Sequence, residues 1–176
     1  MGINLNLKID VKFNKMVGLQ LHLIRHAKTE KISQTGSDFD RALLPKGIKQ
    51  AKALATFLEN KQNFEILLCS SAKRTQETKN ILSEKLIFHS IKDFPELYLA
   101  SQFEILQLIC EQQDVKVIWI VGHNEGISDL ASYLTGNNIH MKTCAYVCLT
   151  PTIDHWSHLT ANSCLVSDLF RPEIDA

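Results

Sequence analysis

The sequence predicts an α/β fold, a three-layer sandwich in which a mainly parallel central sheet is covered by helices on both faces. Short apolar, strand-like segments alternate along the chain with amphipathic segments of helical period, an alternation typical of such sheets. The 176 residues, 45% of them hydrophobic, are enough for one domain with its own core. Because ligands in such folds bind beyond the carboxyl ends of the strands, we expect the functional residues there.

The first strand is predicted over 17–24 and the first helix over 45–61. Pro45 suits the first turn of this helix, where its missing N–H costs no hydrogen bond. The helix has an apolar face opposite its lysines, which predicts that this face packs on the sheet. The residues assigned to the apolar face are Ile48, Ala51, Leu54, Ala55 and Leu58.

The second strand is predicted over 64–69, and Ser70 and Ser71 are expected to supply the N-cap of a helix over 72–85. A third helix is predicted over 101–112, which opens with a serine and, three residues later, a glutamate, the spacing of a capping box. The apolar residues expected on one face of this third helix are Phe103, Leu106, Ile109 and Cys110.

The segment 115–121 has the strongest strand character in the chain and ends in the sequence Gly-His-Asn. It is followed by a predicted helix over 125–136, which Gly136 closes. The segments 142–151 and 162–172 are predicted to form two more strands, the second of them antiparallel.

The charge balance argues against two classes of partner. The chain has 19 Lys and Arg against 19 Asp and Glu, so neither nucleic acid nor an anionic membrane is expected as a bulk partner. No apolar run approaches the roughly 20 residues of a membrane span. Any binding of an anion must therefore be local.

Residues 1–17 lack the features of a signal peptide and are interpreted as a leader, either an extra strand or a flexible arm, before a single domain over 18–176. The five cysteines contain no C-x-x-C pair and are expected to be buried thiols, which favours the cytoplasm. A zinc site at Cys144 and Cys148 is disfavoured, because their spacing suits no common closed site.

Cationic side chains follow three of the predicted strands. Arg25 and His26 end the first strand, Arg74 lies in the first turn of the helix after the second, and His123 follows the strand over 115–121. If these strands are parallel, the four side chains meet at one edge of the sheet beside a helix N-terminus, which attracts anions. Arginines bind phosphate oxygens in pairs and imidazole can attack phosphorus, so the pattern predicts a phosphate site.

The same segments resemble the motifs of a known family. "LIRHAKTE" is similar to the Arg-His-Gly motif of the histidine phosphatase superfamily, the phosphoglycerate mutase-like proteins, and "SSAKRTQET" is similar to its middle arginine motif. "VGHNEGISDLASYLTG" resembles its second-histidine motif. "DFDRALLPKGIKQA" and "ELYLAS" narrow the resemblance to the short bacterial branch, the SixA-type phosphohistidine phosphatases.

The resemblance implies a phosphoglycerate mutase-like fold and a phosphatase mechanism with two half-reactions. His26 would be the nucleophile that carries the phosphoryl group, and water would then hydrolyse the phosphohistidine. Arg25 and Arg74 would hold the phosphate oxygens, and His123, as a cation, would stabilise the transferring group. Neighbouring arginines should lower the pKa of His26 and keep the nucleophile neutral.

The resemblance also implies two further phosphate contacts, the side chain of Arg41 and the backbone N–H of Asn124. It implies no cofactor and no metal, because the arginines supply the positive charge. The expected partner is a phosphorylated substrate. For a member of the SixA-type branch, this substrate would be a signalling protein that carries a phosphohistidine. "DFDR" has another interpretation, in which Arg41 forms only a local salt bridge.

The sequence departs from the wider family in ways that concern the leaving group. Ala27 stands in place of the motif glycine, and Ile32 in place of an asparagine that larger members carry. Leu99 occupies the position of their glutamate general acid, and the loop over 75–100 is too short for their capping insertion. A site without an acid favours phosphohistidine, since imidazole is a better leaving group than an alkoxide.

Two other functions remain open from the sequence. The chain could act on a small phosphorylated metabolite, as a phosphatase or a mutase, although the missing acid and the short loop disfavour a mutase. It could also be a non-catalytic phosphate-binding adaptor, although the intact Arg25, His26, Arg74 and His123 argue against this. The oligomeric state does not follow from the sequence.

Overall fold

The computed structural model describes residues 18–61 and 63–173, and the leader expected over 1–17 lies outside the described residues. The strands are β1 (Gln20–Arg25), β2 (Ile66–Ser70), β3 (Ser90–Phe94), β4 (Val117–Gly122), β5 (Tyr146–Pro151) and β6 (Cys164–Phe170). The helices are α1 (Pro45–Leu58), α2 (Lys73–Ser83), α3 (Gln102–Cys110) and α4 (Asn124–Thr135), and short 3₁₀ turns cover Pro95–Leu97 and Trp156–His158. Among the helices of the described residues, none is both long and apolar enough to span a bilayer.

The six strands form one mixed sheet in the order β3-β2-β4-β1-β5-β6. Neighbouring strands from β3 to β1 are parallel, so the carboxyl ends of β2, β4 and β1 meet at one edge, as predicted. β5 runs antiparallel to β1, and β6 runs antiparallel to β5. β5 therefore runs opposite to β1, whereas β6 runs in the same direction as β1. The last strand is antiparallel to its neighbour, as predicted.

Two apolar clusters fill the space on the two faces of the sheet, which confirms the three-layer α/β fold. One cluster joins α3 and α4 to the sheet, and the other joins α1 and α2 to the opposite face. Strand residues contribute to the clusters alternately, Leu23 to the first and Ile24 to the second, because successive side chains point to opposite faces. Burial on both faces explains why β4, and β2 up to its last residue Ser70, carry no polar side chain apart from that serine.

Helix α1 begins at Pro45 as predicted, but its buried face differs at one position. Ile48 is 39% exposed, whereas Gly47 faces the interior. A Cβ on Gly47 would lie 2.1 Å from the carbonyl oxygen of Lys28, so only glycine lets the helix approach this loop so closely. The prediction for Ile48 is wrong because the helix turns its glycine, not its isoleucine, toward the strand end that carries Arg25 and His26.

Helix α3 has the predicted capping box, in which Ser101 and Glu104 each bond to the other's backbone N–H. Its buried residues are Ile105 and Ile109, while Phe103 is 60% exposed, contrary to the prediction. Phe103 instead meets the ring of Tyr133 edge-on at 5.9 Å near the surface.

Helix α2 begins without the serine cap that the sequence predicts. Ala72 is the N-cap residue and makes no side-chain capping bond, although its own N–H donates to the hydroxyl of Ser70 at 3.4 Å. Ser70 instead ends β2 and its hydroxyl lies 2.8 Å from Nε2 of His123. The prediction failed because the residue at the N-cap position is Ala72, whose side chain has no hydrogen-bond acceptor.

Strand β3 was not predicted. Its residues are exposed or half-buried, and it pairs with β2 alone at the edge of the sheet. An exposed edge strand buries neither face, so its sequence carries no apolar periodicity that could reveal it.

Candidate active site

Arg25 and His26 are positioned by the two strands that flank β1. The backbone N–H of Arg25 donates to the carbonyl of Ala145 at 3.1 Å, and that of His26 donates to the carbonyl of Gly122 at 3.0 Å. The carbonyl of His26 accepts from the N–H of Cys144 at 3.0 Å. The sheet ladder thus continues past the end of β1 and fixes both residues at its edge.

The ring of His26 is fixed in one tautomer. Its Nδ1 lies 2.8 Å from the carbonyl oxygen of Ala27, which can only accept, so Nδ1 carries the proton and Nε2 keeps a free lone pair. The side chain is 8% exposed, and burial lowers the pKa of His26 to about 4, outweighing the carbonyl of Ala27, which favours the cation. Arg74, Arg25 and Arg41 lower this pKa further. At neutral pH His26 is therefore uncharged, as a nucleophile must be.

Arg74 lies in the first turn of α2 and is 2% exposed. Its Nη1 donates to the backbone carbonyl of Asp38 at 2.6 Å, and its Nη2 donates to Oδ2 of the same residue at 2.9 Å. Its Nε is buried and has no partner. One edge of the guanidinium is thus held by Asp38 while Nε remains free to bind a ligand.

Asp38 is a site residue that the sequence did not reveal. Besides Arg74, its carboxylate accepts from Nη1 of Arg41 at 2.6 Å and from the hydroxyl of Tyr98 at 2.9 Å. The bond from Arg41, aided by Tyr98 and Arg74, lowers the pKa of Asp38 to about 2 even though the side chain is 45% exposed. Asp38 is therefore ionised and bridges the two arginines.

Arg41 forms the local salt bridge that its sequence context suggested, and it also lines the cleft. In addition to Asp38, its Nε donates to the carbonyl of Glu30 at 2.7 Å and its Nη2 donates to Oγ1 of Thr29 at 2.7 Å. A guanidinium has five N–H groups, so two remain for an anion. The expected phosphate contact by Arg41 remains a prediction, since the contacts seen are all to protein.

His123 is the residue before α4, and its ring centroid lies 5.4 Å from that of His26. Burial, followed by the charge of Arg74, lowers the pKa of His123 to about 3. His123 is thus neutral at neutral pH before an anion binds, and the cation expected beside a phosphoryl group remains a prediction. The hydroxyl of Ser70 can donate to Nε2 at 2.8 Å, and the ring proton then lies on Nδ1, which is buried without a partner.

Three residues that line one cleft each carry a buried nitrogen atom without a hydrogen-bond partner. Within 18–61 and 63–173, the buried side-chain nitrogen atoms that lack a hydrogen-bond partner are Nε of Arg25, Nε of Arg74 and Nδ1 of His123. These residues and His26 line a single cleft of about 420 Å³, here called the active-site cleft. Buried donors are almost always paired in folded proteins, so three of them around one cleft indicate a site built for an anion.

The N-terminus of α4 forms another wall of the active-site cleft, through Asn124, Glu125 and Gly126. N–H groups in the first turn of a helix have no acceptor within the helix, so they favour an anion. A Cβ on Gly126 would lie 1.9 Å from the carbonyl oxygen of Ala100, which shows how closely this turn packs on the loop before α3. The position of Asn124 agrees with the contact expected from its backbone N–H, which remains a prediction.

The described residues contain no group of three or more His, Cys, Asp or Glu side chains placed to hold a metal ion. Cys144 and Cys148 are free thiols, and burial raises the pKa of both. The donors around the active-site cleft are mainly guanidinium, imidazole and backbone N–H groups, which suit an anion rather than a metal.

Comparison with known proteins supports the expected resemblance. A sequence model of the histidine phosphatase superfamily (branch 1) matches residues 21–98, a range that contains Arg25, His26, Arg41 and Arg74. Over these residues the chain is similar to that superfamily, which agrees with the predicted enzyme class, a phosphatase. The chain is also 28% identical over 159 residues to an uncharacterized chloroplastic protein of Arabidopsis thaliana, an alignment covering 84% of this chain and 73% of that protein.

Solved structures share the fold of this chain. A candidate phosphohistidine phosphatase SixA from Nakamurella multipartitia superposes with a TM-score of 0.76 at 22% identity, covering 88% of this chain and 96% of that one. A protein histidine phosphatase SixA complexed with tungstate superposes with a TM-score of 0.73 at 20% identity, covering 86% and 96%. These likenesses confirm the expected phosphoglycerate mutase-like fold in its short, SixA-type form.

The buried histidines should make the stability of the protein depend on pH. Burial lowers the pKa of His26 to about 4 and those of His22 and His123 to about 3, whereas an unfolded histidine titrates near 6.5. Below pH 6.5 the unfolded chain therefore binds protons that the folded chain does not, so the free energy of unfolding should fall as the pH drops from about 6.5 to about 4. His26 alone would contribute on the order of 3 kcal/mol of this loss.

Urea unfolding at several pH values between 4.5 and 8 checks this expectation. In His26→Asn the free energy of unfolding should depend less steeply on pH below 6.5. The decrease in slope should correspond to about one proton fewer taken up on unfolding. His89→Asn is the matched control, because the side chain of His89 is exposed and lies away from the cleft. An unchanged slope in His26→Asn would contradict the low pKa of His26.

Proposed function

We propose that this chain is a metal-independent phosphohydrolase that acts through a phosphohistidine intermediate on His26, and that its substrate is a phosphohistidine-bearing protein. The observation that carries the proposal is that Arg25, Arg74 and His123, each with an unpartnered buried nitrogen atom, line the same cleft as His26, whose Nε2 is free. The likeness to SixA-type structures, one of them complexed with the phosphate-like oxyanion tungstate, supports this choice.

In the first half-reaction, the phosphoryl group of the substrate lies among the free donors of Arg25, Arg74 and His123. Nε2 of His26 attacks phosphorus, a new P–N bond forms, and the bond from phosphorus to the leaving group breaks. The guanidinium and imidazole N–H groups are already in place to stabilise the negative charge on the equatorial oxygens, so catalysis rests on positioning and electrostatics. A phosphate dianion beside His123 also favours the cationic form of its ring.

In the second half-reaction, water attacks phosphorus of the phosphorylated His26. The P–N bond breaks, inorganic phosphate leaves, and Nε2 regains its lone pair. Nδ1 of His26 keeps its proton and its bond to the carbonyl of Ala27 throughout, so the ring holds the same orientation in both steps. Arg25 keeps its own anchor, since its Nη1 donates to the carbonyl of Met141 at 2.9 Å.

The lining of the cleft favours a leaving group that needs little protonation. Leu99, which stands where larger family members carry their acid, does line the active-site cleft and is 61% exposed. The carboxyl groups on the cleft are those of Asp38, which is ionised and held by arginines, and Glu125, which is exposed at the start of α4. Phosphohistidine suits such a site because its imidazole leaves more readily than an alkoxide.

Activity should survive an excess of chelator, and it should depend steeply on the leaving group. We expect phosphohistidine and p-nitrophenyl phosphate to turn over at least about 100-fold faster than an alkyl phosphate of similar size, the scale of general acid catalysis. Leu99→Glu should reduce this difference in rate, because it places a carboxyl group in the cleft that can protonate the leaving group. Steady-state rates on the three substrates, with and without chelator, check the prediction.

Glu125→Gln is the matched control for this experiment. It should leave the ranking of the substrates unchanged if no acid assists the leaving group. Rapid hydrolysis of alkyl phosphates that is lost in Glu125→Gln would instead identify Glu125 as the acid, and the metabolite-phosphatase alternative would become the better one. Activity that is lost with chelator and restored by a divalent ion would overturn the metal-independent mechanism.

A phosphatase for a small phosphorylated metabolite is the second candidate. The observation that favours it is the volume of the active-site cleft, about 420 Å³, which lies within the range of small-molecule sites. A cytoplasmic location, which the five free cysteines favour, forms part of either proposal.

A further inference from the structure

A second cleft adjoins the active-site cleft, and the two share the residues Lys28 and Thr143. The second cleft has a volume of about 470 Å³, and its other cationic wall residues are Lys46, Lys142 and Arg171. It is called the basic cleft here. Because Lys28 and Thr143 line both clefts, a protein substrate that places its phosphoryl group near His26 would lie next to the basic cleft as well.

Positive charge is concentrated along these two clefts. The whole chain has 19 cationic and 19 anionic residues, yet the two clefts are lined by eight Lys or Arg side chains against three carboxylates. The three carboxylates are those of Asp38, Glu125 and Glu173. A chain of zero net charge thus presents a strongly positive surface where its substrate must approach, and such a surface attracts anionic partners.

The cations of the basic cleft are not neutralised by the part of the chain that the structure describes. Over 18–61 and 63–173, the side chains of Lys28, Lys46, Lys142 and Arg171 form neither an ion pair nor a hydrogen bond. Lysines elsewhere do: Lys61, Lys79 and Lys85 pair with Asp168, Asp93 and Glu59. The basic cleft therefore offers several free cationic groups beside the reacting phosphoryl group.

We infer that the basic cleft binds an acidic segment that flanks the phosphorylated side chain of a protein substrate, an inference that rests on the proposed function. An acidic peptide fits because the cations line an extended surface of two adjoining clefts rather than a single point. Each solvated pair contributes little alone, but several together raise the rate of association and select the partner by charge. The active-site cleft then supplies the chemistry and the basic cleft the recognition.

Two synthetic phosphohistidine peptides of equal length test this inference, one with glutamate and one with glutamine around the phosphohistidine. The wild type should show a kcat/KM roughly tenfold higher for the glutamate peptide, and the advantage should disappear at about 0.5 M salt. Lys46→Glu with Arg171→Glu should abolish or reverse the advantage. Turnover of p-nitrophenyl phosphate should change less than about twofold, because neither residue lines the active-site cleft.

The matched control is Lys49→Glu with Lys52→Glu, which makes the same change in net charge on exposed residues of α1 outside both clefts. This control should keep most of the preference for the glutamate peptide. Equal turnover of the two peptides by the wild type, or an equal loss in both double variants, would overturn the inference. So would a preference confined to small phosphorylated carboxylic acids, since the basic cleft would then serve a metabolite.

Failure of the proposed function would give a different result. In that case neither peptide would turn over at all, or turnover would persist without His26, whatever the charges in the basic cleft.

Discussion

Replacing His26 with alanine is expected to abolish turnover while inorganic phosphate still binds. Nε2 of His26 is the free lone pair on the active-site cleft, whereas the donors that hold the anion belong to Arg25, Arg74 and His123. The rate should fall by a factor of roughly 10⁴ or more, the scale seen when a covalent nucleophile is removed. Steady-state assays measure the first effect, and calorimetric titration with phosphate measures the second.

A radiolabelled substrate adds a direct check on the same prediction. Brief mixing with the wild type should leave an acid-labile phosphoryl group on the protein, and His26→Ala should take up none. His89→Ala should behave like the wild type, because His89 is exposed and lies outside the cleft. If His26→Ala stays folded but loses phosphate binding and turnover equally, His26 is a ligand and not the nucleophile.

The second large effect is expected for Arg74→Lys, although the substitution keeps the charge. Arg74 uses Nη1 and Nη2 to bind Asp38 and leaves Nε free for the phosphate. A lysine has one ammonium group and cannot serve both partners with the same geometry. We expect kcat/KM to fall by roughly 10²–10³, as when one preorganised donor to the transition state is removed.

Two further variants help to explain the effect expected for Arg74→Lys. Lys79→Gln, on the same helix, breaks a different ion pair, that with Asp93, and should change kcat/KM little. Asp38→Asn weakens the bridge between Arg41 and Arg74 and should raise KM, because Arg74 is held less firmly. Tighter phosphate binding in Asp38→Asn would show that Asp38 competes with the substrate instead of positioning its arginine.

The positions of the main site residues could be predicted because strand ends are visible in a sequence. The apolar runs before Arg25 and His123 marked buried parallel strands, and parallel strands bring their carboxyl ends to one edge. Arg74 followed from the next strand in the same way. The apolar runs and the rule that parallel strands end at the same edge of a sheet were sufficient to predict the positions of these residues.

Other features depended on contacts that no local pattern encodes. Asp38 contacts Arg74 across 36 positions of the chain, and Ser70 contacts His123 across 53, so neither role shows in its own segment. The low pKa of His123 was also not evident from the sequence, because it arises from burial and from the charge of Arg74. Strand β3 was not predicted because it is an exposed edge strand, and its sequence therefore has no alternating apolar pattern.

The hydrogen bond from His26 to the carbonyl of Ala27 has a consequence for evolution. In many enzymes a neighbouring side chain sets the tautomer of the reactive histidine, and a single substitution can remove it. Here the acceptor is a peptide oxygen, an atom that every amino acid at position 27 would supply. The protonation state of the nucleophile therefore does not depend on which side chain occupies position 27, although burial keeps that side chain small.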